Sequence, residues 1–166
     1  MTSPEQRWTD RLHLRPVTLD DTAAVVAIET DPRAGAHRPG GACSVEEAEQ
    51  HVRDYVAQWS SDGLGYWAVE HRGKVVGVAG LRFTVFALRD CWSLCYRIAP
   101  DVWGRGYATE VATEAVALAI ERVPRLPVVA RTRPDNVAAV RVAEAAGLER
   151  RPDLDTDGFV VLVSHW

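Results

Sequence analysis

Leu12-His13-Leu14-Arg15 alternates apolar and polar residues and is closed by Pro16, the pattern of a strand. Asp20 or Asp21 then stands where a side chain caps a short helix reaching Ile28. Residues 30–42 are rich in Gly, Pro, Arg and His and read as loop. Ser44 and Glu47 have capping-box spacing, and Ala48, Val52, Tyr55, Val56 and Trp59 share one face of the helix that follows. Residues 66–70 and 75–83 read as strands joined by a hairpin at His71-Arg72-Gly73-Lys74, with residues 91–98 as the third member. There the period changes. Ala108, Val111, Ala112, Ala115, Leu118 and Ala119 recur at helical spacing until Pro124 and Pro127 stop the run. Residues 127–132 form a short apolar strand of the buried kind. Asp135 or Asn136 caps a fourth helix ended by Gly147, and residues 148–151 and 159–164 supply the last strands around a polar turn. The predicted order is βααβββαβαββ, a mixed-sheet α/β (α+β) domain over residues 1–166.

Composition narrows the partners more than the fold. The chain has 166 residues, 47% hydrophobic and 25% charged, with a net charge of −4. That balance argues against nucleic acid, which needs a clustered positive field, and suits an amine-bearing acceptor. The polar start lacks a signal-peptide run, and no stretch approaches the ~18 apolar residues that cross a bilayer. A cytoplasmic protein without membrane contact is expected. Cys43, Cys91 and Cys95 lack zinc-ligand spacing and read as free thiols, so no metal is expected.

The chemistry concentrates where the third hairpin strand meets the long helix, at Trp103-Gly104-Arg105-Gly106-Tyr107-Ala108-Thr109-Glu110. Glycines let the backbone approach an anion, and the first helical N–H groups point at it unpaired, reinforced by the helix dipole. Arg105 adds a possible charge contact. A Walker loop would continue Gly-Lys-Ser/Thr, but Tyr107-Ala108 follows. A dinucleotide fingerprint would need a third glycine in an early βαβ unit.

This segment resembles the pyrophosphate loop of the GNAT superfamily, in the branch similar to ribosomal-protein N-terminal acetyltransferases. Trp103 replaces the usual Gln or Arg. Leu14-Arg15-Pro16, Gly65-Tyr66-Trp67-Ala68-Val69, Val76-Gly77-Val78-Ala79-Gly80 and the stretch from Asn136 to Gly147-Leu148 are also similar, so the resemblance spans almost the whole chain. It implies the GNAT acyl-CoA N-acyltransferase fold and acetyl-coenzyme A as cosubstrate. The strand ending at Ile98 would splay from residues 128–132, with main-chain groups near Tyr96 and Ile98 pairing with the pantetheine arm. Amides of Trp103, Gly104, Gly106 and Ala108 would hold the pyrophosphate, beside Arg105 and Tyr107. Asn136 would contact the cofactor or simply cap its helix. The acceptor would be a small-molecule amine or a protein N-terminus, and the protein a monomer or homodimer.

The resemblance thins at the proton-transfer positions. Ser93 stands where a glutamate is frequent and could orient a water, while Ala139 and Ala143 stand where relatives carry serine or tyrosine. No general acid is assigned. Glu29, Asp31, His37 and Asp90 are the other candidate bases, of which Glu29 and Asp31 read better as solvated carboxylates and His37 as an exposed loop histidine. Glu110 and Glu114 read as a solvated helix side. Trp92 reads as core, and Trp166 as an exposed apolar end unless a partner or the sheet covers it. A GNAT-fold module that holds acyl-coenzyme A without turnover, or a transferase using another acyl donor, is the alternative.

Overall fold

The computed structural model describes residues 5–166, so the opening Met1 to Pro4 lie outside the described residues. In chain order the elements are β1 (Arg7–Trp8), β2 (His13–Pro16), α1 (Thr22–Glu29), α2 (Val45–Asp62), β3 (Tyr66–His71), β4 (Lys74–Phe86), β5 (Arg89–Ile98), α3 (Tyr107–Arg122), β6 (Val128–Thr132), α4 (Val137–Ala145), β7 (Glu149–Arg150) and β8 (Val160–Val163). They build one eight-stranded sheet ordered β1-β2-β3-β4-β5-β6-β8-β7. Every pairing is antiparallel except β5–β6. The predicted elements are present, with β1 as an unpredicted addition.

Two helical layers cover the sheet. α3 packs through Val111, Ala112, Ala115 and Ala119 against Trp67, Leu81, Trp92 and Leu94, while Val25 of α1 and Val52 of α2 meet Tyr66, Ala68 and Val78 on the other face. Alanines on α3 let that helix lie close to the sheet. Ser44 caps α2 by accepting from the Glu47 amide at 3.1 Å, and the Glu47 carboxylate accepts from the Ser44 amide at 3.0 Å. The β4–β5 hairpin runs longer than expected. Its turn is Ala87-Leu88, both at positive φ without a glycine to announce it.

Asp21 stands at the N-cap position of α1 but makes no side-chain cap bond there, so the expected cap is replaced by another role. Its buried carboxylate takes two hydrogen bonds from Arg15, at 2.8 and 2.7 Å, and one from the Thr18 amide at 2.8 Å. Burial pushes the Asp21 carboxyl up, but the Arg15 and Thr18 bonds together hold it below the usual range. A depressed carboxyl stabilises the fold above the unfolded pKa, and that contribution is lost as pH falls through the folded one. Asp21→Asn is therefore expected to cost about 1–3 kcal/mol near neutrality. Urea melts of the two proteins should converge in acid, and a gap that stays constant with pH would refute the pairing.

Candidate active site

β5 and β6 pair at only two positions, Trp92↔Val128 and Ser93↔Val129, and then diverge. The phase of the sheet determines what lines the gap. The Ala99 amide donates to the Val76 carbonyl at 2.8 Å, and Ile98 stands opposite Gly77. Alternation then turns the main-chain groups of Leu94, Tyr96 and Ile98 toward β6. Beyond the Ser93↔Val129 pair no strand among the described residues pairs with Tyr96 and Ile98 on that side, so an extended ligand arm fits as a surrogate strand.

The gap continues into a cleft of about 600 Å³ that reaches Gly104, Gly106, Tyr107, Ala108 and Thr109 at the start of α3. Gly104 and Gly106 sit at φ +78° and +83°. A Cβ at Gly104 would meet nothing within 4 Å, and one at Gly106 only Arg11 Nη2 at 3.3 Å. These glycines are thus required by the left-handed backbone rather than by crowding. The turn leaves the first amides of α3 without helical acceptors, the Glu110 amide being the first to reach back, to the Gly106 carbonyl.

Two groups nearby are committed elsewhere. The Trp103 amide donates to the Pro100 carbonyl at 3.2 Å, and the Trp103 indole donates to the Ile98 carbonyl at 2.8 Å. That leaves the Ile98 amide, rather than its carbonyl, facing the gap. Arg105 is exposed, and its carbonyl accepts from Arg11 at 2.7 Å. Arg11 in turn clasps Glu110 at 2.8 Å, and Thr9 also donates to Glu110. Glu110 is therefore a tether between the N-terminal segment and α3, not a solvated helix side. Burial pushes its carboxyl up, while the Thr9 and Arg11 bonds hold it below the ordinary range.

Asn136 caps α4, its side-chain oxygen accepting from the Ala139 amide at 3.2 Å, and it also lines the cleft. Ser93 lies in the paired part of the sheet, between Arg82 and Val129, one residue before the lining begins at Leu94. The Tyr96 hydroxyl crosses the opening to the Ala139 carbonyl at 3.4 Å. Burial pushes that phenol up, so it stays protonated. Asp31 is bound to Arg33, Asp90 is exposed at the start of β5, and His37 lines the cleft 3.7 Å from Asp135.

Glu29 departs most from expectation. It is 2% exposed, and accepts from the Tyr55 hydroxyl at 2.7 Å and pairs with His51 Nδ1 at 2.5 Å. The Cys43 thiol donates to the Glu29 carbonyl at 3.3 Å. Burial pushes the Cys43 thiol up, so this cysteine stays protonated. Trp92 is buried core, as read. Trp166 is half-buried, packing on Phe86 with Arg89 over its ring, so the sheet covers it in part.

A family model, the acetyltransferase (GNAT) domain, matches residues 11–149. The chain belongs to the GNAT acetyltransferase family. It is 25% identical over 145 residues to the uncharacterized N-acetyltransferase YoaA of Bacillus subtilis, covering 86% of this chain and 81% of the relative. It is 26% identical over 148 residues to the FsC-acetyl coenzyme A-N(2)-transacetylase of Aspergillus fumigatus, covering 84% of this chain and 63% of that longer relative. Its fold matches the acetyltransferase from Agrobacterium tumefaciens with a TM-score of 0.84 at 24% identity, over 100% of this chain and 97% of that one. As a GNAT acetyltransferase the protein uses acetyl-coenzyme A as its acyl donor. The parted strands and the free amides opening α3 suit the donor's two parts, an extended amide-bearing arm and a pyrophosphate. No helix among the described residues is long and apolar enough to cross a membrane.

Proposed function

We propose that this GNAT domain moves an acetyl group from acetyl-coenzyme A directly to a primary amine, on a small molecule or a protein N-terminus, in a ternary complex. The observation that carries the reading is the two-residue β5–β6 pairing that opens into a cleft ending on the amides of α3. The amides of Gly104, Gly106 and Ala108 hold the pyrophosphate, and Tyr96 and Ile98 align the pantetheine arm through main-chain bonds. Asn136 borders that arm from the tip of α4. The Ile98 amide is the donor for the oxyanion that forms as nitrogen attacks the thioester carbon. A C–N bond forms and a C–S bond breaks; the attacking nitrogen gives up one proton and the departing thiolate takes one up.

That proton has a source on the opposite wall from Ala139 and Ala143. The Tyr96 phenol points across the cleft to α4, where its hydroxyl donates to the Ala139 carbonyl, and turning from that carbonyl would bring its proton to the departing sulfur. Tyr96→Phe is expected to lower kcat about 100-fold, within the usual range for a general acid, with the acetyl-coenzyme A KM changed less than about twofold. An unchanged kcat would reduce Tyr96 to packing. Ser93, one residue outside the lining, remains a water-positioning group of the amine side.

Release of coenzyme A thiol from acetyl-coenzyme A, with a panel of amines and peptides, tests the whole reading. Turnover with an amine supports it. Tight donor binding without turnover of any acceptor defeats it in favour of an acyl-coenzyme A-binding module, and faster turnover with succinyl-coenzyme A defeats the choice of donor.

A further inference from the structure

Although the chain carries a net charge of −4, the cleft is lined by Arg33, Arg38, Arg97, Arg131, Arg133 and His37, and by no Asp or Glu among the described residues. The donor's phosphates do not account for all of them. Tyr96 and Ile98 pack with α3, whereas Cys95 packs with Val78 and Tyr66 on the α1–α2 face. Strand alternation puts Arg97 on that same face, away from the pyrophosphate turn. Arg38 approaches from the loop after α1 and lies beside Cys43. An acceptor reaching the thioester through the opening between β5 and β6 enters from this side.

The two guanidinium groups differ from Arg33, which is satisfied by Asp31 at 2.7 Å and Asp101 at 3.0 Å. Arg97 is half-buried, and its hydrogen bond within the protein is to the Tyr96 carbonyl at 3.2 Å. The carboxylate that acts on it at longer range is Glu29, whose oxygens are already taken by His51 and Tyr55. A half-buried cation without an ion-pair partner is costly, and an anion delivered by a ligand offsets that cost. A polyamine would meet the opposite field.

We propose that the acceptor amine carries an anionic group, a carboxylate or a phosphate, recognised by Arg97 and Arg38 on the α1–α2 side of the cleft. This rests on the acetyl-transfer reading and names the class of its acceptor. The test compares matched pairs in the thiol-release assay: α-amino acids against their α-amides, aminoalkyl phosphates against the corresponding amino alcohols, and spermidine. A charged member of one series is expected to exceed its neutral mate in kcat/KM by about tenfold or more, as for a charge-assisted contact. Which series responds separates carboxylate from phosphate. Arg97→Gln should bring that ratio to within about threefold of unity, with acetyl-coenzyme A affinity unchanged by calorimetry. Arg38→Gln, in a loop, should lower the ratio too and serves if Arg97→Gln does not fold.

Equal or better use of neutral amines or spermidine, or a ratio untouched by both variants, would overturn the proposal while leaving acetyl transfer standing. If no acceptor turns over, acetyl transfer fails instead. Calorimetry of the same pairs on coenzyme A-loaded protein then decides the anion site by itself, equal binding of charged and neutral members counting against it.

Discussion

Gly106→Val is expected to weaken acetyl-coenzyme A binding by about 100-fold or more, the loss of one or two charge-assisted amide bonds. The effect does not come from a side chain blocking the cradle. A Cβ at this position would face Arg11 Nη2, a flexible group 3.3 Å away. What fails is the backbone, because valine resists the φ of +83° that Gly106 adopts at the start of α3. As residue 106 leaves the left-handed region, the amides that follow swing away from the pyrophosphate position. The fold itself should lose only about 1–2 kcal/mol. Gly73→Ala is the control. Gly73 has a similar φ of +77° in the β3–β4 turn, with nothing within 4 Å of its Cβ position, so strain appears there without the site. Calorimetry with coenzyme A should show the Gly106 variant crippled and the Gly73 variant normal. Comparable affinities for the two would dismiss the turn as the phosphate cradle.

That turn was legible in the sequence for a local reason. A strand, two glycines and a helical period follow one another within a few residues, and each acts on its own neighbours. Asn136 and the Ser44–Glu47 box were legible on the same grounds. The β4–β5 turn was not, because Ala87-Leu88 adopts positive φ without the residue types that favour it. Nor was β1, whose two residues are too few to show alternation. The polar network was hidden for a different reason. Glu110 finds Arg11 and Thr9 about a hundred positions away, separations of 99 and 101. Glu29 finds Cys43, His51 and Tyr55 at separations of 14, 22 and 26. A carboxylate's exposure depends on partners that tertiary structure supplies, so a lone glutamate at a helix end reads as solvated when it is not. Arg97 was legible in part, since strand alternation already sets it on the opposite face from Tyr96.

Glu29→Ala is expected to destabilise the protein by about 1–3 kcal/mol or more, the cost of leaving a buried hydrogen-bonding group without its partner. The carboxylate joins the end of α1 to α2 through His51 and Tyr55. Removing it leaves the Tyr55 phenol and the His51 imidazole without their acceptor. Burial pushes the Tyr55 phenol up, and the Glu29 charge adds to that, so the tyrosine is held as a neutral donor at any ordinary pH. Glu29→Gln separates the two contributions. It keeps the shape and one acceptor oxygen but deletes the charge, so it should fall between wild type and alanine. Tyr55→Phe combined with each gives the coupling energy, expected to be about 1–3 kcal/mol for groups in direct contact. Urea denaturation measures all of them. A Glu29→Ala protein within about 0.5 kcal/mol of wild type, the scale of an ordinary surface substitution, would mean that the carboxylate is solvated after all. The same variants bear on the site. If Glu29 anchors the proposed acceptor wall, Glu29→Gln should raise the acceptor KM more than that for acetyl-coenzyme A, because the proposed donor contacts are the α3 amides and the β5 main chain.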